Sequence, residues 1–366
     1  MRAARFPHVD ALRAVAALSI VAYHLAFLLG AFELDGVGQW LARLNVGVPL
    51  FFAISGFLLY RPWVAAKLAG RPPPSTRTYA VRRALRILPA YWLALTLIAL
   101  LVGRTSVFDV PDAVVYYGLF QGYDAGRFTG GIGPAWTLTI EIAFYALLPL
   151  LALAMARVGG GARGELAMLA GLAAASLLFK ALVVALVDAG APAYLVLLSA
   201  LPAQLDTFAA GMALAVVSAA GWGRAGAWWW LAALAAFSLS VLWTPGGETS
   251  RILVGHALHS VVAAALLAPA VLGAAGLVGA LLGWRPLAWV GLVSYGVYLW
   301  HLDTIRELVD AGLPAGVVVV AGTVLSILLG AASWYGLERY AQRLGNPRGR
   351  EPRPAEPEPA TTAVAP

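Results

Sequence analysis

Ten apolar stretches, each long enough to cross a bilayer as a helix, constrain this 366-residue chain more than anything else in it. They run near 11–31, 45–65, 87–103, 134–156, 166–187, 199–219, 227–243, 252–275, 289–308 and 313–337. A transmembrane helix takes about 17–25 predominantly apolar residues, and every stretch fits that window. A soluble enzyme with a single anchor is excluded, because 61% of the residues are apolar and only 12% are charged. An outer-membrane barrel is excluded as well, since its strands would alternate apolar and polar residues. Unbroken runs rich in Ala and Leu favour helices. The expected fold is therefore all-α, a polytopic membrane bundle of about ten transmembrane helices.

Basic residues set the orientation of such a bundle. With the N-terminus in the cytoplasm, nineteen basic residues fall on inner segments and five on outer ones. Ten spans with both termini cytoplasmic satisfy this bias, whereas an odd number would place a basic tail outside. The first stretch follows Arg2 and Arg5 as a signal peptide would, but it carries Arg13 and His24 and reads as a span. Residues 1–345 form the membrane domain. Residues 346–366, rich in Pro, Ala, Glu and Arg, read as a disordered cytoplasmic tail. The net charge of +7 belongs to the inner arginine face and calls for membrane lipid as a partner, with no role for nucleic acid. The absence of cysteine excludes disulfides, thiolate nucleophiles and Cys-ligated metals.

Ionisable groups inside a bilayer cost at least about 2.5 kcal/mol each, so those that interrupt the apolar runs are the functional candidates. They are His24, Glu141, Lys180, Asp206, His256, His259, His301 and Asp303, with Arg13 at the inner end of the first span. Arg13 and His24 lie eleven residues apart, about three turns and about 16 Å of rise, so they share one helix face. A neutral imidazole near the midplane can take a proton from a hydroxyl. Ser294, Tyr298 and His301 share a face of the ninth span, and Glu141 and Tyr145 share one of the fourth. A carboxylate at 141 can orient a histidine, bind a hydroxyl or pair with Arg13. The alternative for all of these groups is an interhelical hydrogen-bond network that only holds the bundle together.

Ser55-Gly56 in the second span permits close backbone approach. The loop from Arg61 to Arg86 carries seven basic residues and no acid, and Arg82, Arg83 and Arg86 suit either a phosphate site or a flank on anionic lipid. His256 and His259 have no evident third ligand, so no metal site is expected. Lys180 has no evident partner in the sequence.

Five motifs in order resemble acyltransferase family 3, the integral-membrane O-acyltransferases. They are Asp10-x-Leu12-Arg13 with His24, Gly47 to Phe57 around Phe51-Phe52 and Ser55-Gly56, and Arg82-Arg83-x-x-Arg86-Ile-x-Pro89-x-Tyr91. Trp136 to Tyr145 around Glu141 and Ser294-Tyr295-x-x-Tyr298-Leu-Trp300-His301 complete the set. The resemblance covers about residues 7–340 and implies transfer of an acyl group, commonly acetyl, from cytoplasmic acyl-CoA to a hydroxyl. Implied acceptors are glycans, lipid-linked sugars and macrolide-type natural products. The implied catalytic residues are His24, with Arg13 as companion, and Glu141. Arg82, Arg83 and Arg86 would dock the CoA phosphates. Ser55, Trp136, Tyr145, Asp206, Tyr298 and His301 are the candidates for substrate contact. Acyl-CoA, above all acetyl-CoA, enters as co-substrate, with no permanently bound cofactor. The implied location is a bacterial inner membrane.

The chain departs from the family pattern at Pro49, Gln204 and Arg339, positions that bear on substrate placement. Two other classes fit the buried ionisable groups: a multispan transporter, which would leave acyl-CoA intact, and a relay subunit that hands the acyl group to a separate enzyme.

Overall fold

A computed structural model describes residues 6–157, 159–223, 225–226, 228–243, 247–273 and 276–345. The proposed tail, 346–366, lies outside the described residues. Among those described, the secondary structure is helical throughout. Each of the ten apolar runs falls on a helix. These are α1 (Pro7–Leu28), α2 (Gly47–Leu68), α3 (Thr76–Leu101), α4 (Trp136–Ala156), α5 (Gly161–Leu186), α6 (Leu201–Ala219), α7 (Trp228–Leu242), α8 (Gly247–Leu272), α9 (Arg285–Asp310) and α10 (Ala315–Ser333).

The structure bears out the expected all-helical, polytopic bundle. Among the described residues, eight helices are long and apolar enough to cross a membrane. α9 makes a ninth when joined to the short helix Gly276–Leu282, from which it bends by 49°. α7 has only 15 residues. At 1.5 Å per residue it reaches about 22 Å, short of a hydrocarbon core of about 30 Å. The protein is a multi-pass helical membrane protein.

Helix pairing in lipid depends on close packing, because lipid tails compete for every apolar face. α1 packs along α9, and α2 along α6. Both contacts are set by glycine. A Cβ built on Gly291 would lie 1.6 Å from the carbonyl oxygen of Asp10, so only glycine lets α9 approach α1 this closely. A Cβ on Gly56 would lie 2.3 Å from the carbonyl oxygen of Phe208, which accounts for the Ser55-Gly56 pair at the α2–α6 crossing. α10 covers the other side of α9, and α5 and α8 flank α6.

A second buried centre ties α5, α6 and α8 together. Lys180 Nζ on α5 donates to both carboxylate oxygens of Asp206 on α6 at 2.9 Å. Ser176 and Ser260 donate to the same carboxylate, and Ser260 also pairs with Thr207 at 2.6 Å. The partner of Lys180, invisible in sequence, is therefore Asp206. A pair this well hydrogen-bonded pins three helices in register.

Candidate active site

Two cavities lie back to back within the bundle. The inner one, about 310 Å³, is walled by Arg13, Arg83, Arg86, Ser55, Glu141, Tyr145 and Ser294, with aliphatic and aromatic neighbours. The outer one, about 640 Å³, is walled by His24, Tyr23, Asn45, Trp136, Arg104, Arg306 and the Gly130-Gly131 loop. Val48, Thr137 and Tyr298 belong to both walls and form the partition. Thr137 Oγ1 and Tyr298 Oη lie 2.6 Å apart, and each is also 3.0 Å from the carbonyl oxygen of Pro134. Both cavities fall within the size range of small-molecule sites.

The inner cavity concentrates positive charge. Arg13 comes from α1, Arg83 and Arg86 from α3. Asp10 lies 3.9 Å from Arg13, at the edge of ion-pair distance. Glu141 does not pair with it by hydrogen bond. Instead its Oε1 accepts from Ser55 Oγ and Tyr145 Oη, each at 2.5 Å. The Arg83 guanidinium stands 6.0 Å over the Tyr145 ring. Arg83 Nε and Ser294 Oγ are buried and, among the described residues, have no hydrogen-bond partner. A buried donor left unmatched costs about 1–3 kcal/mol or more, which favours a ligand that supplies acceptors here. Glu338, in the π-helical turn Trp334–Glu338, interacts electrostatically with both Arg13 and Arg86.

Arg82 is placed elsewhere. Its Nε donates to the carbonyl oxygen of Gly345 at 3.2 Å, clasping the C-terminal helix Arg339–Leu344 to α3. It does not line the inner cavity, whereas Arg13, Arg83 and Arg86 do.

In the outer cavity a histidine pair sets a tautomer. His301 is fully buried. Its Nδ1 lies 2.9 Å from the carbonyl oxygen of Tyr298 and 3.2 Å from that of Val297, so Nδ1 carries the proton and donates. The Nε2 of a neutral His301 is then an acceptor. His24 Nδ1 sits 3.0 Å from it and 3.1 Å from the carbonyl oxygen of Ile20. Two acceptors face one nitrogen, so His24 carries its proton on Nδ1. Its Nε2 keeps a lone pair and, among the described residues, makes no hydrogen bond. The second histidine, rather than Glu141, orients the first.

The remaining candidates separate by depth. Ser55 and Tyr145 line the inner cavity, Trp136 the outer, and Tyr298 the partition. His301 stands behind His24 and lines neither. Asp206 also lines neither cavity; its carboxylate is committed to Lys180, which corrects its assignment to substrate contact. Sequence reasoning passed over Thr137, Arg104 and Arg306. Thr137 sits inside a quoted motif, beside Trp136, and was open to notice. Arg104 carried no local signal, whereas Arg306 stands three residues after Asp303 on α9. Arg104 is fixed by Asp303 on α9, at 2.7 Å, across 199 positions of sequence.

The family model described as an acyltransferase domain matches residues 6–335. The chain belongs to acyltransferase family 3. It is 27% identical to YrhL of Bacillus subtilis, named as a candidate peptidoglycan O-acetyltransferase, over 93% of this chain and 55% of that protein. It is 28% identical to the exopolysaccharide production protein ExoZ of Rhizobium meliloti, over 82% of this chain and 90% of that one. It is 22% identical to the peptidoglycan O-acetyltransferase OatA of Listeria monocytogenes, over 87% and 53%. The chain thus spans about half the length of YrhL and OatA and most of ExoZ. No solved structure matches it.

Proposed function

We propose that the protein is an O-acyltransferase of a bacterial cell membrane. It moves an acyl group, acetyl above all, from cytoplasmic acyl-CoA to a hydroxyl of a glycan, lipid-linked sugar or macrolide-type natural product. The observation that carries this reading is the pair of abutting cavities: an arginine-walled chamber on one side of the Thr137–Tyr298 partition, and a histidine with a free ring nitrogen on the other.

The positive-inside bias puts the arginine chamber toward the cytoplasm. Arg13, Arg83 and Arg86 pair with the CoA phosphates, and the unmatched Arg83 Nε gains an acceptor. The acyl end of the donor points at the partition. In the outer chamber, His24 Nε2 takes the proton of the acceptor hydroxyl as its oxygen attacks the thioester carbonyl. The new C–O bond forms, the C–S bond breaks, and His24 returns the proton to the departing CoA sulfur. Tyr298 and Thr137, at the meeting point of the chambers, offer hydroxyl donors to the oxygen on which charge develops. Glu141, between Ser55 and Tyr145, keeps the inner wall in register and offsets part of its positive charge.

Purified protein in nanodiscs, given acetyl-CoA and a set of acceptor glycans, should release free CoA in step with acetylated product. His24→Ala should lower turnover about 10²–10⁴-fold, the range for loss of a general base. Full turnover in His24→Ala, or acyl-CoA left intact with every acceptor, refutes the reading. Mass spectrometry of the chain itself separates direct transfer from a relay, which would leave an acylated residue.

A further inference from the structure

The outer chamber has walls of unusual chemistry for recognising a neutral sugar. Sugar hydroxyls donate hydrogen bonds and are held well by carboxylates. Among the described residues, none of those lining this chamber is Asp or Glu. Two arginines line it instead, Arg104 and Arg306. The carboxylate of Asp303 pairs with both: 2.7 Å from Arg104 and 3.7 Å from Arg306. One carboxylate between two guanidinium groups leaves a positive balance. The longer contact leaves the Arg306 fork largely uncommitted, and its side chain is about a third exposed (36%). Arg306 lines the same chamber as His24. Across the chamber, Trp136 stacks on Phe128, with centroids 5.2 Å apart and planes 24° from parallel. This holds the Trp136 ring in the wall of the chamber that His24 also lines.

We infer that the acceptor is an anionic carbohydrate. A sugar ring lies on Trp136 with one hydroxyl at His24 Nε2, while a carboxylate or phosphate on the same or the adjoining residue is gripped by Arg306 and Arg104. This rests on the acyl-transfer reading for the identity of the chamber but not for its charge. Arginine forks bind planar and tetrahedral oxyanions bidentately, and do so most strongly in a chamber shielded from bulk water. An acceptor that brings its own negative group supplies what the walls lack. A neutral sugar would leave the Arg306 guanidinium facing hydroxyls only.

The test uses direct binding and needs no turnover. Trigalacturonate and its trimethyl ester share one sugar backbone and differ in three carboxylate charges and three ester methyl groups, and each is titrated onto the full chain in phosphatidylcholine nanodiscs by calorimetry. The acid should bind about tenfold or more tightly than the ester. Arg306→Gln should remove that preference while leaving thermal unfolding unchanged. Arg104→Lys keeps the ion pair to Asp303 but loses the fork, and should weaken the acid severalfold. Equal binding of acid and ester, binding of neither, or an unchanged preference in Arg306→Gln overturns the inference. The arginines could instead serve a lipid headgroup, so the titration is repeated with phosphatidylglycerol in the disc. Unchanged affinity supports a carbohydrate ligand, and loss of acid binding overturns it in favour of lipid. CoA release is measured separately. A chain that binds the acid selectively yet never consumes acetyl-CoA refutes acyl transfer and leaves the anionic site standing.

Discussion

Replacing His301 with leucine tests the tautomer argument at its root. His301 lines neither cavity, so it affects chemistry only through the 3.0 Å bond between its Nε2 and His24 Nδ1. A net hydrogen bond between neutral groups contributes about 0.5–1.5 kcal/mol. At about 1.4 kcal/mol per factor of ten, its loss shifts the population of correctly oriented His24 by roughly 2- to 12-fold. The effect is not larger because the carbonyl oxygen of Ile20, 3.1 Å from the same nitrogen, still favours the proton on Nδ1. His301→Leu is therefore expected to lower kcat by that modest factor and to leave KM for acyl-CoA unchanged. Glutamine at the same position restores an acceptor through its side-chain carbonyl, so His301→Gln should recover most of the loss. The assay is release of CoA thiol at saturating acyl-CoA, with thermal unfolding followed by tryptophan fluorescence to confirm that each variant is folded. A loss in His301→Leu as deep as in His24→Ala, with a normal unfolding temperature, would make His301 a direct participant and refute the positioning role. So would failure of glutamine to rescue a folded leucine variant.

Other substitutions separate structure from chemistry. Asp206→Ala strands the Lys180 ammonium inside the bundle and should cost about 3–5 kcal/mol of stability, read as a large drop in unfolding temperature. The double variant Lys180→Met with Asp206→Leu should regain most of it. Gly291→Ala drives a methyl group into the Asp10 carbonyl and should abolish folded protein, while Gly171→Ala, with nothing within 4 Å of the new Cβ, should be neutral or mildly stabilising; comparative yields after gel filtration check both. Arg83→Gln should raise KM for acyl-CoA about tenfold or more. Arg82→Gln, one residue away, should leave that KM unchanged, because Arg82 holds Gly345 instead.

Helical periodicity made the faces of this site legible but not its levels. Arg13 and His24 do share a face of α1, as three turns of helix require. The same arithmetic put about 16 Å between them, and that rise carries them into different chambers. Ser294, Tyr298 and His301 repeat the pattern on α9: Ser294 opens on the inner chamber, Tyr298 stands in the partition, and His301 backs the catalytic candidate. Periodicity also explains the fate of the arginines. Arg82 and Arg83 flank Arg86 on opposite sides, about 100° apart on α3, so one turns to the C-terminal helix and the other to the cavity. What the sequence hid are the pairings between helices. Asp206 with Lys180, Asp303 with Arg104 and His301 with His24 join positions 26, 199 and 277 residues apart. No local spacing encodes which helices become neighbours in lipid, where apolar faces are nearly interchangeable and the choice falls to small residues and buried polar partners. The single acid at 303 illustrates the consequence. Read along α9 it meets only Arg306, three residues on, at 3.7 Å. Read across the bundle it anchors Arg104 at 2.7 Å, so the charge of the outer chamber depends on a contact that no single helix contains.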